Sequence, residues 1–285
     1  IWGEGNITDN PLFCDFDNND YTLAENSPAI GMGALGIGCG PIDEGDIYTG
    51  PWYVSLDGSN DGDGTIINPF LTIQSGIDAS MSGDSVLVGP GTYNESINYN
   101  GKTIVVISTD GTNSTTIYSD SYNVMLNTQE GLGTELRGFT LSGNGSSWGI
   151  YMNAYTEPIF QDIVIQNKER GISCESYNNI TLNNVTIVGN DRGVHSEWDN
   201  DIVIMNSIVW NNNDVPIYLH YSSASVSISY SDIQGGEINI GGSGEIIWGE
   251  GNITDNPLFC DFDNNDYTLA ENSPAIGMGA LGIGC

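Results

Sequence analysis

The chain has 285 residues, with 5 Lys and Arg against 37 Asp and Glu, a formal net charge of −32. So acidic a protein repels nucleic acid, anionic membranes and polyanionic glycans unless cations bridge the contact. Apolar residues still make up 39%, which excludes a disordered chain because enough surface can be buried to offset chain entropy; no run approaches the roughly 18 apolar residues that would cross a bilayer.

From the start of the chain, residues 1–39 recur letter for letter as residues 247–285, an offset of 246. Fold constraints tolerate many sequences, so identity down to Leu against Ile points to recent tandem duplication of a unit of about that length. On this reading residues 1–39 are the closing segment of a preceding repeat and 40–50, rich in Gly and acidic residues, are the linker between repeats. Residues 51–246 are then the body of one repeat and 247–285 its own closing segment. The alternative is an isolated protein with two copies of one small module.

Each copy brings two cysteines, Cys14 with Cys39 and Cys260 with Cys285. A disulfide inside each copy would close a loop and stabilise by about 3 kcal/mol, which points to an oxidising, extracellular setting. The other reading makes all five cysteines, Cys174 included, small buried apolar residues. Each copy also places oxygens at alternate positions, Asp15, Asp17 and Asn19, then Asp261, Asp263 and Asn265. That is a calcium candidate without the central Gly and final Glu of an EF-hand; the other reading is a pair of solvated turns. The acidic run Asp57 to Gly64 is a second calcium candidate.

Next along the chain, Asn68-Pro69 reads as the N-cap and first position of a short helix whose Ile73, Ile77 and Met81 would cover the open end of a core. Short β-branched runs follow at 84–88, 103–107 and 115–118. The triplets Phe139-Thr140-Leu141, Ile163-Val164-Ile165, Val185-Thr186-Ile187, Ile208-Val209-Trp210 and Asp232-Ile233-Gln234 then succeed each other at steps of 24, 22, 23 and 24. Asn144, Asn167, Asn190, Asn212 and Gly235 follow them as turn residues. A period near 23 describes one coil of a parallel β-solenoid, in which no coil buries its own apolar face and stacked coils share one core.

A second strand per coil keeps the same step. Ile150, Ile172, Val194 and Ile217 point inward with Met152, Cys174, Ser196 and Leu219, since alternate side chains face opposite ways. Cys174 is thus a core thiol. The fold class is all-β: a right-handed parallel β-helix with a short N-terminal capping helix and a C-terminal closing segment.

Two stretches carry a family resemblance. Tyr53-Val54-Ser55-Leu56-Asp57-Gly58-Ser59 through Asn68-Pro69-Phe70-Leu71-Thr72-Ile73-Gln74, then Gly89-Pro90-Gly91-Thr92-Tyr93, resembles the N-terminal signature of secreted bacterial right-handed β-helix proteins of the pectin-lyase-like superfamily. Asn256-Pro257-Leu258-Phe259, Asp266-Tyr267-Thr268-Leu269 and Ser273-Pro274-Ala275-Ile276 resemble the closing segment of large surface proteins with such helices. The resemblance implies fold strongly and activity weakly, since the superfamily holds lyases, hydrolases, adhesins and structural helices.

The outward positions of the second strand gather unusual residues. Tyr151, Ser173, His195 and Tyr218 form one row and Asn153, Glu175, Glu197 and His220 the next, with Trp148, Arg170 and Arg192 before them and Tyr155, Tyr177, Trp198 and Tyr221 after. Three readings stay open: a groove for surface glycans, ordinary cross-strand pairs of an exposed sheet, or a lateral contact between molecules in a homo-oligomer or filament. If there is an active site, Glu175, His195, Glu197 and Asp199 are its acids and bases. The resemblance implies a lysine or arginine base with calcium-holding carboxylates for a lyase, and an aspartate cluster with Gly-His-Gly and Arg-Ile-Lys segments for a hydrolase. Neither tripeptide is present. The reading that follows is a structural or adhesive repeat unit of a long extracellular or cell-surface appendage, with neighbouring repeats as its partners. The runner-up is a glycan-binding or polysaccharide-degrading β-helix.

Overall fold

The computed structural model describes residues 13–15, 20–24, 37–39, 51–153 and 155–285. The chain divides into two units, residues 1–49 and 50–285.

The larger unit is a parallel β-solenoid of about 7 turns. Its strands form a 7-stranded sheet and a 14-stranded sheet that turns a corner to make two faces, so each coil is three-sided. The first face holds Ile97–Asn98, Val124–Leu126, Trp148–Met152, Arg170–Ser176, Arg192–Trp198, Ile217–Leu219 and Gly241–Gly242. The second begins at Trp52–Ser59 and ends at Glu245–Trp248. The third runs from Gly91–Asn94 through Thr115–Tyr118, Thr140–Ser142 and Ile208–Trp210 to Asp232–Ile233. Ile159–Gln166 and Asn179–Val188 span both second and third faces.

The inward rows are as the alternation requires. Ile150, Ile172, Val194 and Ile217 are fully buried, as are Met152, Cys174, Ser196 and Leu219. On the third face the sequence alignment is off by one residue at one step: Ile208 pairs with Thr186, not Val185. The outward row is then Thr140, Val164, Thr186, Ile208 and Asp232, and Ser207 takes the inward place. Its hydroxyl accepts from Val185 N at 3.0 Å and Ser231 Oγ accepts from Ser207 N at 3.1 Å. A serine ladder satisfied in this way replaces apolar residues at the corner.

Five successive corners between second and third faces take positive φ, at Gly138, Asp162, Asn184, Asn206 and Tyr230. Short Asx side chains tolerate that conformation. The Asn residues after the triplets are likewise offset. Asn167 sits on a positive-φ position with Gly189 and Asn211, whereas Asn190 and Asn212 occupy the next place, buried and bonded to each other at 3.1 Å. In that buried row the preceding coil has Lys168. Its Nζ donates to Ser119 O and Ser121 O at 2.9 and 2.5 Å, and burial pushes its pKa down to about 8.

The helix is shorter than the Asn68-Pro69 start implied. It covers Ile73–Ala79 with Thr72 as N-cap, whose hydroxyl accepts from Ser75 N. The carboxylate of Glu95 takes the amides of Ile73 and Gln74 at 2.9 and 3.0 Å. Asn68 cannot serve, because its carbonyl already receives Asp63 N and Gly64 N in closing the preceding loop. Ile73 and Ile77 are buried against the first coil, while Met81 lies past the helix end and is exposed.

Residues 247–285 do not simply plug the solenoid's end. The strand Glu245–Trp248 and the bridge from Ile253 to Asp232 complete a last coil, so residue 247 falls inside a strand. The chain then doubles back over the outer side of the third face. Phe259, Phe262, Tyr267 and Leu281 pack on Val164 and Val188, and Leu269, Ala275 and Met278 on Ile208. Gly279 N donates to Asn206 O at 2.7 Å and Ala280 N to Thr186 Oγ1 at 3.0 Å. Gly279 has φ +75°, and a Cβ there would lie 2.8 Å from Ile208 Cδ1, so the close approach requires glycine. Cys260 and Cys285 are joined in a disulfide across this segment, their Cα atoms 5.9 Å apart.

In the smaller unit, Phe13–Asp15 pairs antiparallel with Asp20–Ala24, which pairs parallel with Ile37–Cys39. The pairs Phe13 with Leu23 and Asp15 with Asp20 match Phe259 with Leu269 and Asp261 with Asp266. Leu23 with Ile37 likewise matches Leu269 with Ile283. The partnering of Cys14 and Cys39, the side chain of Asp15, the turn residues Asp17 and Asn19, and the linker 40–50 lie outside the described residues.

Candidate functional site

The stripe lies on the outer side of the first face. Cross-strand pairing aligns Tyr151, Ser173, His195 and Tyr218 in one row, and Trp148, Arg170 and Arg192 in another. Trp148 stacks on Tyr151 at 4.8 Å, and the Arg170 guanidinium lies 6.0 Å from the Trp148 ring. Arg192 lies 5.2 Å from the Tyr218 ring, which itself stacks on His195 at 5.5 Å. Although His195 and Ser173 face outward, these larger neighbours cover both, leaving His195 only 2% exposed.

A cleft of about 370 Å³ opens here between Arg170, Arg192, His195, Glu197, Asp214, Val215, Tyr218 and His220. Glu197 is its hub. Oε1 lies 2.7 Å from His195 Nε2, and Oε2 lies 3.0 Å from His220 Nδ1. Arg192 gives Nε to Asp214 at 2.7 Å and directs Nη1 at His195 Nδ1, 3.4 Å away. Because a guanidinium only donates, His195 Nδ1 accepts and its proton sits on Nε2, donated to Glu197. Burial first, then Arg170 and Arg192, hold the His195 imidazole below its ordinary pKa, against the opposing pull of Glu197. Glu175 is shifted up, chiefly by burial and then by Glu197, with Arg170 opposing.

Of the four candidate acids and bases, the structure brings His195 and Glu197 together. Glu175 lies within electrostatic reach of Glu197 but does not line the cleft. Asp199 does not join them: it sits at an exposed positive-φ corner, its amide donating to Ser223 Oγ at 3.2 Å. Asp214 and His220, from the coil beyond, take its place. Asp214 was legible only through its place 22 residues after Arg192, a spacing that sets one coil's charge over the next. No free nucleophile faces the cleft among the described residues. Ser173 accepts from Arg170 Nη1 at 3.2 Å, Ser196 is buried against Asn200, and the Cys174 thiol is in the core, its pKa pushed up by burial.

The outer aromatics do not form one line. Tyr155 and Tyr177 occupy positive-φ corners and stack on each other at 4.9 Å with their rings nearly parallel. Trp198 instead pairs across the sheet with Ser176 and stacks on Tyr221 at 3.4 Å, with His220 on the other side of Tyr221 at 4.3 Å. The corner residue of that coil is Asp199, so the row Tyr155, Tyr177, Trp198, Tyr221 splits into two stacked pairs one residue out of step.

At the second Asp-rich turn, Asp261 Oδ2 accepts from Asn264 Nδ2 at 2.8 Å and Asn265 Oδ1 accepts from Tyr267 OH at 2.8 Å. These oxygens serve the turn itself. In the 57–64 run, Asp63 Oδ1 accepts from both Thr65 N and Thr65 Oγ1, at 3.0 and 2.7 Å. The one group of three or more His, Cys, Asp or Glu side chains whose ligand atoms converge, among the described residues, is His195, Glu197 and His220.

The family model described as "Right handed beta helix region" matches residues 122–273, from the first face's Val124–Leu126 strand through the hairpin of the closing segment. None of the curated proteins matches the chain.

Proposed function

The chain belongs to the right-handed β-helix family, and we propose on that premise that it is a repeating structural and adhesive unit of a long extracellular or cell-surface appendage. The observation that carries this reading is the verbatim recurrence of residues 1–39 as 247–285, with the same strand pairing in both copies. The second copy uses Phe259, Tyr267, Leu269 and Ala275 to cover the third face of its own solenoid. The first copy carries the same residues, and that face is already occupied. An equivalent face on a preceding solenoid of the same array is the seat this reading gives it. The Cys260 to Cys285 disulfide fits an oxidising, extracellular location.

Sequencing the complete gene tests this. Further units in tandem at a spacing of about 246 residues are the expected result, and a gene holding only this one unit would defeat the proposal. Electron micrographs of the native assembly should then show rods whose length scales with the number of units.

A second reading, a surface that binds glycans, is favoured by one observation: a concave cleft with two arginines beside stacked aromatic rings. Stacked platforms take the apolar faces of sugar rings, and Arg and Asp groups take hydroxyls and carboxylates. Titration with neutral and charged polysaccharides should shift the fluorescence of Trp148 and Trp198 without generating new reducing ends or ultraviolet-absorbing unsaturated products. Either product would instead indicate a hydrolase or lyase.

A further inference from the structure

We propose that His195, Glu197 and His220 form a binding site for a divalent cation of the zinc class, with an open coordination position facing the cleft. The site stands apart from the filament reading and from both Asp-rich turns. The chain has only two histidines, and the solenoid's pitch brings both to one carboxylate from adjacent coils. Their ligand atoms and that of Glu197 all lie within 4.8 Å of one another. The two imidazole rings are nearly perpendicular, 82° apart, and each directs one nitrogen at the same carboxylate, His195 Nε2 at Oε1 and His220 Nδ1 at Oε2 of Glu197.

The donor set selects the metal. Two imidazole nitrogens and one carboxylate suit zinc, copper, nickel or cobalt, whereas calcium takes six to eight oxygens. Metal–nitrogen bonds of about 2.0–2.1 Å would set neighbouring tetrahedral ligand atoms roughly 3.4 Å apart. The present spacings of 2.7 and 3.0 Å to Glu197, with every pair inside 4.8 Å, bracket that value. Closing the remaining gap falls to His220, which is 44% exposed and can turn. His195 is held in place by burial and by its stack on Tyr218.

Binding moves one proton on each histidine without net release. His195 Nε2 and His220 Nδ1 each exchange a hydrogen bond to Glu197 for the metal, and the ring protons pass to His195 Nδ1 and His220 Nε2. The long 3.4 Å contact from Arg192 is given up, and Arg192 keeps its stronger 2.7 Å bond to Asp214. Three protein ligands leave one position of a tetrahedral ion for water or a small anion, and the cleft walls supply Arg170 and Arg192 beside it.

The test uses the purified full chain, stripped by chelator and titrated with zinc by calorimetry in millimolar calcium, which saturates the acidic surface. The expected result is one tight equivalent per chain, and cobalt in its place should give the visible absorption of a nitrogen-ligated site. His220→Ala and Glu197→Gln should each weaken zinc binding at least about tenfold, and His220→Ala, at a 44% exposed side chain, should leave the melting temperature of the metal-free protein unchanged. Binding that calcium abolishes, binding equally tight in both variants, or no cobalt absorption would overturn the proposal.

Discussion

The first and third faces of the solenoid are built alike, from parallel strands stacked one coil apart, yet one is open and the other is covered. On the third face the outward row reads Thr140, Val164, Thr186, Ile208, and the closing segment buries the last three. On the first face the corresponding row reads Tyr151, Ser173, His195, Tyr218, with charged neighbours, and it faces a solvent cleft. The strand backbone does not distinguish them. What differs is whether the outward row removes apolar surface from water only when something lies on it, or satisfies itself through stacked rings and ion pairs. A β-helix thus has its inward rows fixed by folding, and its outward rows record what each face meets.

The largest effect on this contrast should come from giving the covered face an open-face residue. Ile208 is 1% exposed beneath Leu269, Ala275 and Gly279. Ile208→Asp would leave a charge unpaired under the closing segment, and calorimetry should show a loss of about 4 kcal/mol or release of the segment to protease. A variant as stable as the wild type would mean that the segment does not cover this face. Next is the disulfide. Cys285→Ser opens a loop with a sequence separation of 25, for which chain entropy gives a loss of about 3 kcal/mol, measured by chemical denaturation against the oxidised wild type.

The rows themselves were legible because a coil repeats every 22 to 24 residues and the core demands an apolar residue at each inward place. Ile150, Ile172, Val194 and Ile217 therefore declared their partners from spacing alone. Corners were harder. Asn167 and Asn190 look equivalent in sequence, yet one takes positive φ and the other joins a buried ladder, because Asn is suited to both and spacing shifts by one between them. The helix start at Thr72 was obscured by Asn68, whose backbone serves a neighbouring loop. The docking of residues 259–281 had no periodic signal, since Ala280 meets Thr186 across 94 residues. Its trace was the apolar character of Val164 and Ile208, at places where an exposed strand would be polar. At the cleft, spacing aligned His195 with Tyr218, but the meeting of His195 with His220 through Glu197 depends on side-chain rotamers that spacing does not set.

Asp232 tests the covered face from the other side. It continues the row from Ile208, is fully buried, and has no hydrogen-bond partner at either carboxylate oxygen. Burial, and then the charge of Asp255, push its pKa from 3.8 to about 7. A folded carboxyl that holds its proton more tightly than the unfolded one contributes stability fully present below about pH 4. That contribution is lost as pH rises through about 7. Asp232→Asn removes the ionisation, so its gain over wild type should be near zero at pH 4 and about 2 kcal/mol at pH 8, after allowance for partial solvation. Urea midpoints at the two pH values would show it. An equal difference at both would mean that Asp232 is solvated and the cover over it is loose.

The smallest effect belongs to the open face. Tyr177 stacks on Tyr155 but is 49% exposed and holds φ at 55°, a conformation that disfavours an aromatic residue and suits Asn. Tyr177→Asn therefore trades a stacking gain of about 0.5–1.5 kcal/mol for relief of backbone strain of about 1 kcal/mol. Its melting temperature should stay within the shift expected from about 0.5 kcal/mol. Folding then gives no reason for a tyrosine pair at this corner, and binding assays decide whether what the face meets does. The same variant should weaken polysaccharide binding if the pair is a sugar platform, and lateral assembly if it is a contact between molecules. If it changes neither, the pair is ordinary exposed surface, and the open face owes its chemistry to the cleft around Glu197 alone.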